Sequence, residues 1–235
     1  MQMRKLLTFL AALVAGTTAL FAQLTPYEYG HRWYIAVQGG AVYFNSDYSY
    51  LLKNRGMILD QFSLVGSAAL GYNINDGHEI RLMGSYSKKT SVCEPFIDEA
   101  IEYDVNEEPP IYPYTFRSVL VYIDHVLNYN GLAEYNIAFN PKTYFGLGAA
   151  YTFDFSDPGH PEVWLYERNL VPAVHFGAIL EYDFPSGFGL YADLGVALFW
   201  DRYNGFDRVG FPMDLEVGPR VGMIYHFQRP KKARH

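Results

Sequence analysis

Cysteine is all but missing. The chain of 235 residues holds one, Cys93, which excludes an intramolecular disulfide, and no Cys/His spacing of the zinc-site kind occurs. Positive charge is short as well: 18 Lys and Arg stand against 25 Asp and Glu, a formal net charge of −7. Nucleic acid as a partner therefore has no electrostatic support. Long apolar runs are absent beyond Leu20, since no later segment approaches the ~20 apolar residues of a spanning helix. What the chain does have is aromatic residues, 21 Tyr and 17 Phe, within a hydrophobic content of 50%. That composition suits one domain with a sizeable core.

The first 22 residues read as a secretory signal peptide: Arg4 and Lys5 form a basic start, Leu6 to Leu20 an apolar stretch, and Phe21-Ala22-Gln23 a cleavage point after Ala22. The domain reading is a signal peptide at 1–22, a barrel at 23–227 and a basic periplasmic tail at 228–235, whose Arg229, Lys231, Lys232 and Arg234 suit a solvated end or anionic headgroups. An exported membrane protein without spanning helices must be a closed β-barrel, the other fold that satisfies its backbone in lipid.

Period-two alternation then predicts eight strands: Trp33–Phe44, Gln61–Asn73, His78–Ser87, Ser118–Phe139, Thr143–Phe155, Pro172–Phe184, Phe188–Asp201 and Asp214–Phe227. Gly39-Gly40 reads as a bulge. Tight turns are expected at Asn75-Asp76-Gly77, Asn140-Pro141-Lys142 and Pro185-Ser186-Gly187. Long loops take the alternate positions, including an acidic one from Lys88 to Arg117 that carries Glu94, Asp98, Glu99, Glu102, Asp104, Glu107 and Glu108. Short turns on one side and long loops on the other are the asymmetry of an outer-membrane barrel.

One face of each strand is apolar. In strand five it is Phe145, Leu147, Ala149, Tyr151, Phe153 and Phe155, and in strand seven Phe188, Leu190, Ala192, Leu194, Val196, Leu198 and Trp200. The opposite faces collect Glu79, Arg81, Asp124, Glu134, Asp154, Glu181, Asp183, Asp193, Glu216 and Arg220. A soluble, lipocalin-like barrel would also alternate, but its charged face would point outward. An eight-stranded interior has room only for side chains, so the charged set reads as a packed polar lumen and the apolar set as lipid-facing. Aromatics fall where interfacial girdles belong: Trp33, Tyr72, Tyr135, Phe145, Tyr182, Phe188, Tyr225 and Phe227 at the turn rim, Tyr43, Phe62, Tyr86, Phe153 and Trp200 at the loop rim.

The last strand, DLEVGPRVGMIYHF from Asp214 to Phe227, closes with Arg220, Gly222, Tyr225 and Phe227. These positions resemble the C-terminal assembly signal of bacterial outer-membrane barrels, although the chain continues from Gln228 to His235. The mature chain as a whole resembles the small eight-stranded outer-membrane proteins of the OmpA-transmembrane, OmpX and OmpW type. That resemblance implies an all-β, antiparallel up-and-down barrel in the cell outer membrane. Its partners would be outer-membrane lipid, the barrel assembly machinery and small solutes, and it would need no cofactor.

Three functional readings follow. The lumen charges serve either as a paired structural network or as a narrow cation-preferring path gated by swapping ion pairs. The small inward residues Gly146, Gly148, Ala150, Gly177, Gly195, Gly218 and Gly222 would leave room for the hydrophobic-solute path that the OmpW likeness implies, or relieve crowding. The loops would carry surface recognition in a structural or adhesive protein. Catalysis has little support: His125 faces lipid with no serine beside it, and no metal set stands out. A small porin-like channel is the expected role, with a plugged surface protein the alternative.

Overall fold

The computed structural model describes residues 33–46, 56, 58–93, 112–133, 139–156, 167–184, 187–200, 202–205 and 213–227. They form eight strands: β1 (Trp33–Asn45), β2 (Phe62–Asn73), β3 (His78–Cys93), β4 (Tyr112–Asn128), β5 (Phe139–Phe153), β6 (Arg168–Asp183), β7 (Phe188–Trp200) and β8 (Met213–His226). Each pairs with its sequence neighbours and β8 pairs with β1, which closes the sheet into a barrel. Closure leaves no strand edge, the condition for a sheet to stand in lipid.

The register fixes the barrel's girth. Pairing leads from Ile35 to Leu70, Leu82, Ile123, Leu147, Val174, Leu198 and Leu215, and returns to β1 at Asn45, ten residues from the start. Eight strands with that stagger tilt by about 40° to the axis and enclose an interior that side chains can fill. Seven of the eight starting points on this path are Ile or Leu, and the remaining one is Val174. Apolar side chains thus run round the outside at every strand.

Alternation assigns the two faces correctly along the paired length of the eight strands. It fails just past β5, where Phe155 packs inward on Phe116 and Asp154 turns out, and several boundaries differ from expectation. Strand four ends at Asn128, not near Phe139, because Asn128 caps a single helical turn, Tyr129–Leu132, by accepting from the Asn130 and Gly131 backbone N–H groups. Asn140-Pro141-Lys142 is consequently not a turn; these residues lie in β5 and pair with β6. β3 and β4 pair as far as Cys93↔Tyr112, so both ends of the expected acidic loop are strand. Gly39-Gly40 makes no bulge: the β1–β2 register runs unbroken from Trp33↔Tyr72 to Tyr43↔Phe62. Gly40 instead lets β8 approach, since a Cβ there would meet the Arg220 Cγ at 3.0 Å and overlap the Pro219 carbonyl.

The signal segment, the acidic residues from Glu94 to Glu108, Glu134, Tyr135 and the basic tail lie outside the described residues. No helix among the described residues is long and apolar enough to cross a membrane.

Candidate functional site

The inward face is the site to read, and it is built in levels. Near the tight turns, Lys142 of β5 reaches Glu79 of β3 at 2.7 Å and Glu181 of β6 at 3.0 Å. His226 of β8 approaches Glu181 at 3.3 Å and Asp183 at 3.4 Å. The Asn140 side-chain amide donates to Asp183, and that of Asn130 donates to Asn140 at 2.7 Å.

The middle level joins charges to rings. Arg81 Nε donates to Asp124 Oδ2 at 2.9 Å, and its guanidinium lies 4.3 Å over the Tyr144 ring. Asp124 also contacts His175 Nδ1 at 3.1 Å, while the Tyr144 hydroxyl donates to Asp193 at 2.8 Å. Tyr122 stacks on His175 with centroids 4.4 Å apart. Above them Glu216 accepts from both Lys89 and Arg220, the latter at 3.3 Å, and Arg220 lies 3.8 Å from Asp193. Arg220 Nε and Nη1 have no hydrogen-bond partner.

The outer mouth is closed by aromatics. Tyr203, from the loop after β7, is fully buried and stacks on Phe199 with centroids 3.8 Å apart. Phe44 and Phe116 meet it edge-on at 5.5 and 5.7 Å. Its hydroxyl shares a hydrogen bond with Ser118 Oγ at 2.8 Å. The loop is pinned from both sides: Tyr114 donates to the Asn204 carbonyl at 2.6 Å, and the Asn204 N–H donates to Asp214. Burial pushes the Tyr203 phenol well above the usual tyrosine range, so it remains neutral.

Of the ten residues expected in the lumen network, Glu79, Arg81, Asp124, Glu181, Asp193, Glu216 and Arg220 are buried there, and Asp183 is half-buried at the turn rim. Asp154 is not in the lumen. It follows the end of β5 with a φ of +57°, and its exposed carboxylate pairs with the outward-facing Arg117 at 2.9 Å. Sequence reasoning missed Lys89 and Lys142, which it had put in a loop and a turn. It also missed His175, whose role needs Asp124 and Tyr144 beside it. The small inward residues do not leave a path: a Cβ on Gly195 would meet the Tyr144 hydroxyl at 2.7 Å, and one on Gly146 would overlap the Asp124 carboxylate. A cavity of about 10 Å³ lies among Tyr34, Glu79, Arg81, Lys142, Glu181 and Tyr191, room for about one water.

Outside, polarity reverses. Val37, Leu64, Leu70, Leu82, Ile123, Leu180, Leu194 and Val221 are exposed on the outer wall. At the turn rim Trp33 packs on Tyr72 and Phe188 on Tyr225, at 4.8 and 4.7 Å, and at the loop rim Tyr43 packs on Phe62 at 5.4 Å. Of the assembly positions, Tyr225 and Phe227 join the turn-rim girdle, centroids 5.6 Å apart, while Arg220 and Gly222 face inward. His125 is on the outer wall, stacked on His78 with ring nitrogens 3.1 Å apart.

A closed barrel with an apolar belt, aromatic rims and a charged, filled interior is an integral β-barrel of the bacterial outer membrane. No family model matches the chain. In fold it is similar to Neisserial surface protein A (TM-score 0.47, 10% identity, covering 83% of this chain and 97% of that one). It is similar to Ail of Yersinia pestis (TM-score 0.47, 14% identity, 84% and 99%) and to a major outer-membrane protein of Thermus thermophilus (TM-score 0.47, 14% identity, 84% and 100%). In sequence, 127 residues are 29% identical to pullulanase A of Streptococcus pneumoniae, a stretch that is 51% of this chain. The chain spans only 9% of that protein's length, and none of its activity is carried over.

Proposed function

We propose that this barrel is a closed membrane anchor that acts at the cell surface through its long loops, and that its lumen does not conduct in the state described. The observation that supports this reading is the continuous filling of the lumen, from the Lys142 pairs to the Tyr203 cap, with Arg220, Tyr122, Lys89, Phe116, Phe199 and His175 all fully buried. An open pore would need a file of waters, and the cavity among Tyr34, Glu79, Arg81, Lys142, Glu181 and Tyr191 has room for about one. The test is entry of a small cation and of a small apolar compound into liposomes carrying the refolded protein. Entry no faster than into empty liposomes is expected, and rapid entry of either would reject the closed barrel. Loop-trimmed barrels should then lose surface binding while still folding.

A gated channel is the second reading, favoured by Glu216. That carboxylate serves two cations at once, and Arg220 keeps two nitrogens without hydrogen bonds. Such an arrangement has alternative pairings within reach. Six buried carboxylates face four buried Lys and Arg among the described residues, so an opened lumen would favour cations. Brief cation-selective openings in planar bilayers would support it.

A further inference from the structure

The lumen network leaves one cluster whose geometry exceeds what ion pairing needs. Glu181 and Asp183 stand two residues apart on β6 and so share a face, and His226 comes from β8 across β7. The intervening inward residue is Gly189, which pairs with Asp183 and Ile224. A Cβ there would meet Asp183 Oδ1 at 3.0 Å, so the missing side chain lets β6 and β8 groups converge.

We propose that Glu181, Asp183 and His226 bind a divalent transition-metal ion at the turn-side mouth of the barrel. One donor atom from each, two carboxylate oxygens and an imidazole nitrogen, lies within 4.8 Å of the others. His226 Nε2 is 3.3 Å from Glu181 Oε1 and 3.4 Å from Asp183 Oδ1. Those separations match the edge of a tetrahedron with metal–ligand bonds of about 2.1 Å, which is about 3.4 Å. Two edges of the site are thus already at zinc spacing, and the third, between the carboxylates of Glu181 and Asp183, lies within 4.8 Å.

The outer oxygens are already held. Asn140 donates to Asp183 Oδ2, and Lys142 donates to Glu181 Oε2 at 3.0 Å. This leaves Oδ1 and Oε1 turned toward His226, the outer-shell arrangement that orients metal-binding carboxylates. Asp183 Oδ1 has no hydrogen-bond partner, and neither has the buried Glu79 Oε2 beside the same Lys142. Lys142 is shared between Glu79 and Glu181, so three carboxylates face one ammonium and the cluster keeps an excess of negative charge. An imidazole with two carboxylates suits zinc and its neighbours better than calcium or magnesium, which favour all-oxygen shells. The Asp183 side chain is 35% exposed, which gives the ion a way in and leaves room for bound water.

The competing occupant is the proton that turns His226 into an imidazolium between the two carboxylates. Calorimetric titration of the refolded full chain with Zn²⁺, and Co²⁺ absorption as a probe of N/O coordination, separates the two. One equivalent of bound metal is expected, with Asp183→Asn and His226→Gln each weakening it about tenfold or more. Asn140→Ala should weaken it less. Folding is checked by heat-modifiable gel mobility. If His226→Gln does not fold, the rim variant Asp183→Asn decides, together with zinc-induced shifts of the His226 ring signals in the native chain. No binding would overturn the proposal, as would binding unchanged in Asp183→Asn, which would place the metal on other carboxylates. The outcome is independent of whether the lumen conducts.

Discussion

Arg81 and Asp124 face each other directly across the β3–β4 ladder, with Nε and Oδ2 2.9 Å apart and both side chains sealed from solvent. A buried pair of this kind contributes little net stability, yet removing one partner strands the other. Asp124→Ala is expected to destabilise the barrel by about 3–5 kcal/mol. The double variant Arg81→Met/Asp124→Ala should recover most of that loss. Urea-dependent unfolding from vesicles measures both.

The Tyr203 cap and the Lys89–Glu216 pair are separate closures. Tyr203→Ala alone should leave conductance at the empty-bilayer level, because Lys89 and Arg220 still converge on Glu216 beneath it. Adding Glu216→Ala leaves both cations without that carboxylate. Reversal potentials of the double variant should then report only a weak cation preference, since the buried carboxylates that remain barely outnumber the buried Lys and Arg.

Ile123 stands on the outer wall, 49% exposed, midway between the outward Val119 and Leu127 of β4. Ile123→Arg should cost about 2–4 kcal/mol, the penalty for an arginine on the lipid face near the bilayer midplane. The same change at Lys88, exposed beyond the belt, should be nearly neutral. Folding titrations into vesicles distinguish the two sites.

Gly146 tests how tightly the lumen is filled. Its absent Cβ is the space that the Asp124 carboxylate uses, with the Ile123 carbonyl 2.8 Å from the same point. Gly146→Ala should destabilise by about 1–3 kcal/mol through overpacking. A neutral result in the same unfolding assay would show slack in that layer.

The faces of all eight strands were legible because alternation between lipid and lumen is imposed at every residue of the apolar belt. Past the belt that contrast fades, which is why Lys88 to Ser91 read as loop although β3 continues through them: both faces there are polar. The β4–β5 connection was misread for the opposite reason. Ala133 and Tyr135 prolonged the alternation past the true Asn130-Gly131 turn, while Asn140-Pro141-Lys142 imitated a turn inside a strand. That error hid Lys142, the cation that ties Glu79 to Glu181. Pairings such as His175 with Asp124 depend on register between strands, which no single strand's pattern states.

The seam between β1 and β8 joins Tyr34 to His226 and is sealed by the Phe227 N–H bonding to the Trp33 carbonyl. The first and last described strands are therefore each other's missing edge. Until both are present, each carries a row of unpaired backbone groups that hydrocarbon cannot solvate. A half-built wall has no resting place in the bilayer, so insertion and ring closure must proceed together. The strand that carries Arg220, Gly222, Tyr225 and Phe227 is the one that completes the circle.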